Sequence, residues 1–196
     1  MRLAVAIARV LPVLLVAAAC SASVTETDET LKPRLIGPPE AGGPWTLEDQ
    51  RSNPIDVLDP VCGVELPEAR PFSIGHAGTA YLGGEPYPVL IHIADRFRSP
   101  ADAAGIVELH RAAADECETW TFEDSRGVVA FSVRPLDVGP PGSLALEVLS
   151  DVDGSVLVTH QIMFADGDVI EFLAHIGEES LEPGAVSYTH LTLPTN

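Results

Sequence analysis

The residues best equipped for chemistry are the histidines, at positions 76, 92, 110, 160, 175 and 190, and three cysteines, Cys20, Cys62 and Cys117. Zinc chemistry draws on His and Cys at short, regular spacing. The chain has no HxH, no HExxH and no CxxC. His160 sits in a period-two run with Val156, Val158, Ile162 and Phe164, the pattern of a core or rim histidine on a strand. There is no nucleophile elbow. Gly139-Pro140-Pro141-Gly142 reads as a turn, because its prolines lack the amides that a phosphate would need. Asp151-Val152-Asp153-Gly154 opens like a calcium loop but has no closing Glu at the required spacing. Residue chemistry thus predicts a non-enzymatic protein with no cofactor and no metal site.

Cysteine usage depends on compartment. Residues 1–19 carry Arg2 and Arg9, then an apolar run from Val10 to Ala19, and end in Ala17-Ala18-Ala19 before Cys20. Positive charge, apolar stretch and small residues in that order form an export signal. The apolar run is shorter than the ~20 residues of a membrane span and holds Pro12. Small residues before Cys20 resemble the bacterial lipobox, with Ala17 where Leu is preferred. That resemblance implies lipid attachment at Cys20; an ordinary secretory signal is the alternative. Export leaves Cys62 and Cys117 as an even pair in an oxidising compartment. A disulfide between them would close a loop of about 55 residues and contribute ~4 kcal/mol. A redox or metal pair is the other use of two such thiols.

The balance of 11 basic against 29 acidic residues gives a net charge of −18, and 46% of residues are hydrophobic. That supports a folded core. It excludes nucleic-acid binding through phosphate contacts, which need clustered Lys and Arg. At the other end, residues 186–195 read Val-Ser-Tyr-Thr-His-Leu-Thr-Leu-Pro-Thr, the translation of a transposon-type sequencing adapter. Residues 186–196 are therefore set aside as adapter-derived, and His190 with them.

Four segments are expected: a signal peptide over 1–19, a flexible polar tether over 20–33, one domain over 34–185, and the adapter tail. Within the domain, a short helical turn begins near Leu35 and a short strand near Trp45-Thr46-Leu47. Four prolines make 53–71 mostly loop around Cys62. Strands are expected over 72–82 and 87–97, with a turn at Gly83-Gly84-Glu85-Pro86. Ser99-Pro100 with Asp102 starts a helix that runs to Cys117, with Ile106, His110, Ala113 and Cys117 on one face. A β-meander follows, with strands over 127–134, 144–149, 156–164 and 169–176 and Asp-Gly turns at 153–154 and 166–167. The class is α+β: an antiparallel sheet packed with one long helix.

Pro60-Val61-Cys62-Gly63, the helix start Ser99-Pro100-Ala101-Asp102-Ala103-Ala104, its end Cys117-Glu118-Thr119-Trp120, and the hairpin-rich half combine with the lipobox. Together they resemble the PknH-like extracellular (sensor) domain family of actinobacteria, over residues 35–176. The resemblance implies an antiparallel sheet packed with helices around a cleft and stapled by disulfides, of which Cys62 and Cys117 carry over. It implies a further helix after the last strand, missing here, and carries over no catalytic residue.

The expected function is a lipid-anchored binding or sensor module on the outer face of the cell membrane. Its ligand would enter an apolar cleft with a polar rim, with Trp45, Tyr87, His92, Trp120 and Phe131 as candidate lining residues. Plain core packing is the competing role for each. The expected partners are the membrane, through the lipid, and an envelope ligand or membrane protein. An accessory lipoprotein that binds only other proteins is the alternative function.

Overall fold

The computed structural model describes residues 28–37, 45–49, 73–83, 88–124, 127–152 and 155–178. Cys20, Cys62, Tyr87, the Asp153-Gly154 turn, the signal segment and residues 179–196 lie outside the described residues.

Among the described residues, eight strands form one open sheet: β1 (Thr46–Asp49), β2 (Ser73–Leu82), β3 (Val89–Phe97), β4 (Thr119–Asp124), β5 (Gly127–Pro135), β6 (Leu144–Val152), β7 (Ser155–Asp166) and β8 (Val169–Gly177). Their order is β1-β2-β3-β8-β7-β6-β5-β4, and each neighbouring pair is antiparallel. Helix α1 (Pro100–Asp115) connects β3 to β4. The α+β class expected from the sequence is the class observed.

Local chemistry accounts for the element ends. Ser99 is extended, its Oγ accepts the Asp102 amide at 3.2 Å, and Pro100 opens the helix, so a donor the helix cannot use is satisfied. Pro140 to Ser143 close a turn through a 3.0 Å backbone bond, with Gly142 at φ 82°. Pro at the second place and a left-handed Gly at the third define a type II turn. Gly167, at φ 64°, turns β7 into β8.

Cross-strand register sorts the side chains onto two faces. On one, Ile91, Ile93, Leu144, Leu146, Met163, Ile170, Phe172 and Ala174 pack beneath Ala103, Ile106 and Val107 of α1. On the other, Ala77, Ala94 and Val169 pack under Leu31, while Ala145, Ile162, Phe164 and Leu173 pack under Ile36, Leu136 and Val138. The central strands are therefore buried on both sides. That is why β8 is buried at all but one position instead of at every second one.

Two differences from the sequence reading stand out. Residues 28–33 fall in the stretch expected as a tether, yet Leu31 is fully buried, and the helical turn is Lys32–Arg34 instead of starting at Leu35. The polar residues there serve as anchors to the sheet, which composition cannot distinguish from solvated linker. Strand β4 was not expected, because it follows the helix end directly.

Gly139 has φ 98°, and a Cβ there would stand 2.0 Å from Ile162 Cδ1; Gly142 has open space around it. A left-handed alanine costs ~1–2 kcal/mol, and overpacking a core adds ~1–3 kcal/mol. Gly139→Ala is therefore expected to lower the unfolding free energy in urea by roughly 3 kcal/mol, clearly more than Gly142→Ala. Equal losses at both sites would remove the crowding against Ile162 from the account.

Candidate functional site

The face opposite α1 carries the polar chemistry. Arg34, just after the buried Leu31, donates through Nε to Glu171 and through Nη2 to Asp166. Glu171 is 1% exposed. Its other oxygen lies 2.9 Å from Nε2 of His92, while the Ile36 amide donates to His92 Nδ1 at 3.0 Å. A backbone amide can only donate, so the His92 proton sits on Nε2 and points at Glu171. Burial by itself would lower the Arg34 pKa, but the bonds to Asp166 and Glu171 outweigh it and hold the guanidinium charged. A second clasp joins Arg96 to Asp28 at 2.7 Å. The Thr30 hydroxyl bonded to Asp28 is the leading reason that this carboxyl is held below its usual range.

A second polar row crosses the sheet. Register places Tyr81, Leu90, His175, His160, Glu147 and Arg134 side by side on β2, β3, β8, β7, β6 and β5. Arg134 reaches Glu147 Oε1 at 2.8 Å, and His160 Nε2 reaches Glu147 Oε2 at 3.1 Å. The Trp45 ring stands edge-on to His175, with centroids 6.2 Å apart and an interplanar angle of 89°.

Beyond that row, toward the β4 edge, lies a depression of about 610 Å³, within the range of small-molecule sites. It is lined by Thr119 and Thr121 of β4, Ala130 and Ser132 of β5, Leu149 and Asp151 of β6, and Val156 of β7, with Trp120 and Phe131 also bordering it. Trp120 and Phe131 are cross-strand partners whose rings stack at 4.7 Å and 7°. Hydroxyls, one carboxylate and an apolar floor can hydrogen-bond a ligand and shield its nonpolar parts. No group of three or more His, Cys, Asp or Glu among the described residues is arranged to hold a metal ion. No described helix is long and apolar enough to cross a membrane.

Of the five aromatic residues singled out in the sequence, the structure brings Trp120 and Phe131 together at the depression. Trp45 is at the other end of the polar row, His92 is 1% exposed inside the Glu171 cluster, and Tyr87 lies outside the described residues. Cys117 follows the end of α1. Sequence reasoning missed Thr119, Thr121, Ser132 and Asp151. The alternation of Thr119, Thr121 and Glu123 with Trp120 and Phe122 was the available signal for β4.

Glu171→Gln removes the charge that balances Arg34 and is expected to cost about 3 kcal/mol, the scale of a broken buried ion pair. Chemical denaturation reads this directly. A loss below about 1 kcal/mol would place the cluster among surface ion pairs in energy.

No family model matches the chain, and no curated protein matches it. Among solved structures, the chain is similar to the extracellular domain of PknH from Mycobacterium tuberculosis, with a TM-score of 0.50 and 12% identity over 72% of this chain and 72% of that one. At that identity the likeness concerns the fold alone.

Proposed function

We propose that the chain is a lipid-anchored, non-catalytic binding module of the sensor type, working outside the cytoplasmic membrane. The observation that carries the binding role is the depression at the β4 edge, where an apolar floor meets a rim of hydroxyls. Such lining suits a small molecule or polymer segment with both polar and nonpolar parts. The fold shared with the extracellular domain of PknH supports the extracytoplasmic setting. Val128 on β5 and Val156 on β7, 57% and 47% exposed on the same face of the sheet, favour a second reading in which an envelope protein docks there instead.

Ala130 is exposed at the floor of the depression, so a large side chain there fills the site without entering the core. Ala130→Trp is expected to abolish binding of peptidoglycan and glycan fragments, followed by ligand-observed NMR, at unchanged stability. Fragments that bind the variant as well as the parent would move the site elsewhere. If no fragment binds the parent while Ala130→Trp blocks cross-linking to one membrane protein, the docking reading holds.

The proposal includes lipid on Cys20 and a disulfide between Cys62 and Cys117. Holding the end of α1 to the residues around Cys62 would restrain the segment that leads into β4. Mass spectrometry of membrane-extracted protein under non-reducing conditions should find a diacylglyceryl-modified Cys20 peptide and a linked Cys62–Cys117 peptide. An unmodified Cys20 or two free thiols would sink the corresponding part.

A further inference from the structure

His160 and His175 face each other across β7 and β8, and they are 6% and 8% exposed. Nδ1 of each is buried without a hydrogen-bond partner. A neutral imidazole tolerates one bare nitrogen as an acceptor. An imidazolium makes both nitrogens donors, so proton uptake here would create a buried N–H with no acceptor.

Among the described residues, the surroundings offer little compensation. On β6, Glu147 bonds His160, and it is shared with Arg134 of β5, which already matches its charge. On β3 and β2 the facing residues are Leu90 and Tyr81, both uncharged, and the Tyr81 hydroxyl donates to the Ile36 carbonyl at 2.9 Å. Further along β8, Glu171 is taken by Arg34 and His92, and Glu178, just past the strand, is exposed. Two imidazolium groups on directly opposed strand positions also repel.

The least anchored neighbour of His175 is the Trp45 ring. It lies against Gly83, where a Cβ would come within 2.9 Å of the indole. It immediately precedes the short edge strand β1, which holds four residues, a register shift between Leu47 and Asp49, and a half-exposed Leu47. Every other strand in the row is longer, and β3, β8, β7, β6 and β5 are paired on both sides. A short edge strand undocks at lower free energy than a central one.

We propose that Trp45 and β1 form a proton-released latch: docked over His175 while that imidazole is neutral, and freed from the sheet face when His175 takes up a proton. The direction follows from linkage. Burial, and then the neighbouring His160, push the docked His175 below its usual value of 6.5. The undocked form therefore binds protons more readily. Docking is at full strength above about pH 6.5 and weakens as the pH falls below it. The latch requires no ligand and is independent of the depression.

The test uses the full-length exported chain labelled with 5-fluorotryptophan, whose two tryptophans give two fluorine resonances, assigned with Trp120→Phe. Between pH 8 and 4.5 the Trp45 resonance is expected to move to its solvent-exposed position with a midpoint below 6.5, while far-UV circular dichroism stays constant. His175→Gln should abolish that step. His110→Gln should leave it in place, although burial also lowers the pKa of His110, on the α1 face. A Trp45 resonance that does not move over this range overturns the latch. So does a step that survives His175→Gln, or one that coincides with loss of the dichroism signal. If His175→Gln fails to fold, His175→Asn and His160→Gln serve in its place, and a step unchanged in both is equally decisive against it.

Discussion

The structure turns on one buried carboxylate. Glu171 lies on β8, in the middle of the sheet, on the face that α1 does not cover. A lone charge there would be prohibitively costly. It is stable because Arg34 comes in from the N-terminal segment and His92 from β3. That need recruits residues 28–37 into the fold. Once Arg34 is fixed, Leu31 and Ile36 are set down over Ala94, Val169 and Ile162. The third layer of the domain is thus held by an ion pair and completed by apolar contact.

The topology has a consequence for where a site can form. Strands β3 and β8, far apart in sequence, pair along most of their length at the sheet's centre. The meander then runs outward from β8 to β4. Helix α1 packs against β3, β8, β7 and β6, so β5 and β4 extend past its reach. On the opposite face the N-terminal segment covers the same central strands. Among the described residues the outer hairpin is therefore the part of the sheet with the least cover, and it is where the depression lies.

The histidines show how placement decides chemistry. All five described ones are buried, yet their roles differ. His92 has both nitrogens satisfied and acts as a structural link. His110 donates to its own helix at the Ile106 carbonyl. His160 and His175 are opposed and only partly satisfied, each with a buried Nδ1 that makes no hydrogen bond.

The sequence by itself determined the local elements. The Ser99 cap, the Pro140–Ser143 turn, the Gly167 turn and the alternating strands were legible because each depends on contacts within a few residues. The same range made Trp120 and Phe131 visible as aromatic candidates. Tertiary structure alone decided the rest. It paired β3 with β8, turned an apparent tether into a packed layer, and put His92 inside an ion cluster instead of on a rim. It also gathered Thr119, Ser132 and Asp151 around one depression. These outcomes depend on register and on charges that meet across more than a hundred residues, as Arg34 and Glu171 do. Such long-range complementarity leaves no periodic trace in the chain, because any acidic residue on any strand could have answered Arg34 until the sheet order chose one.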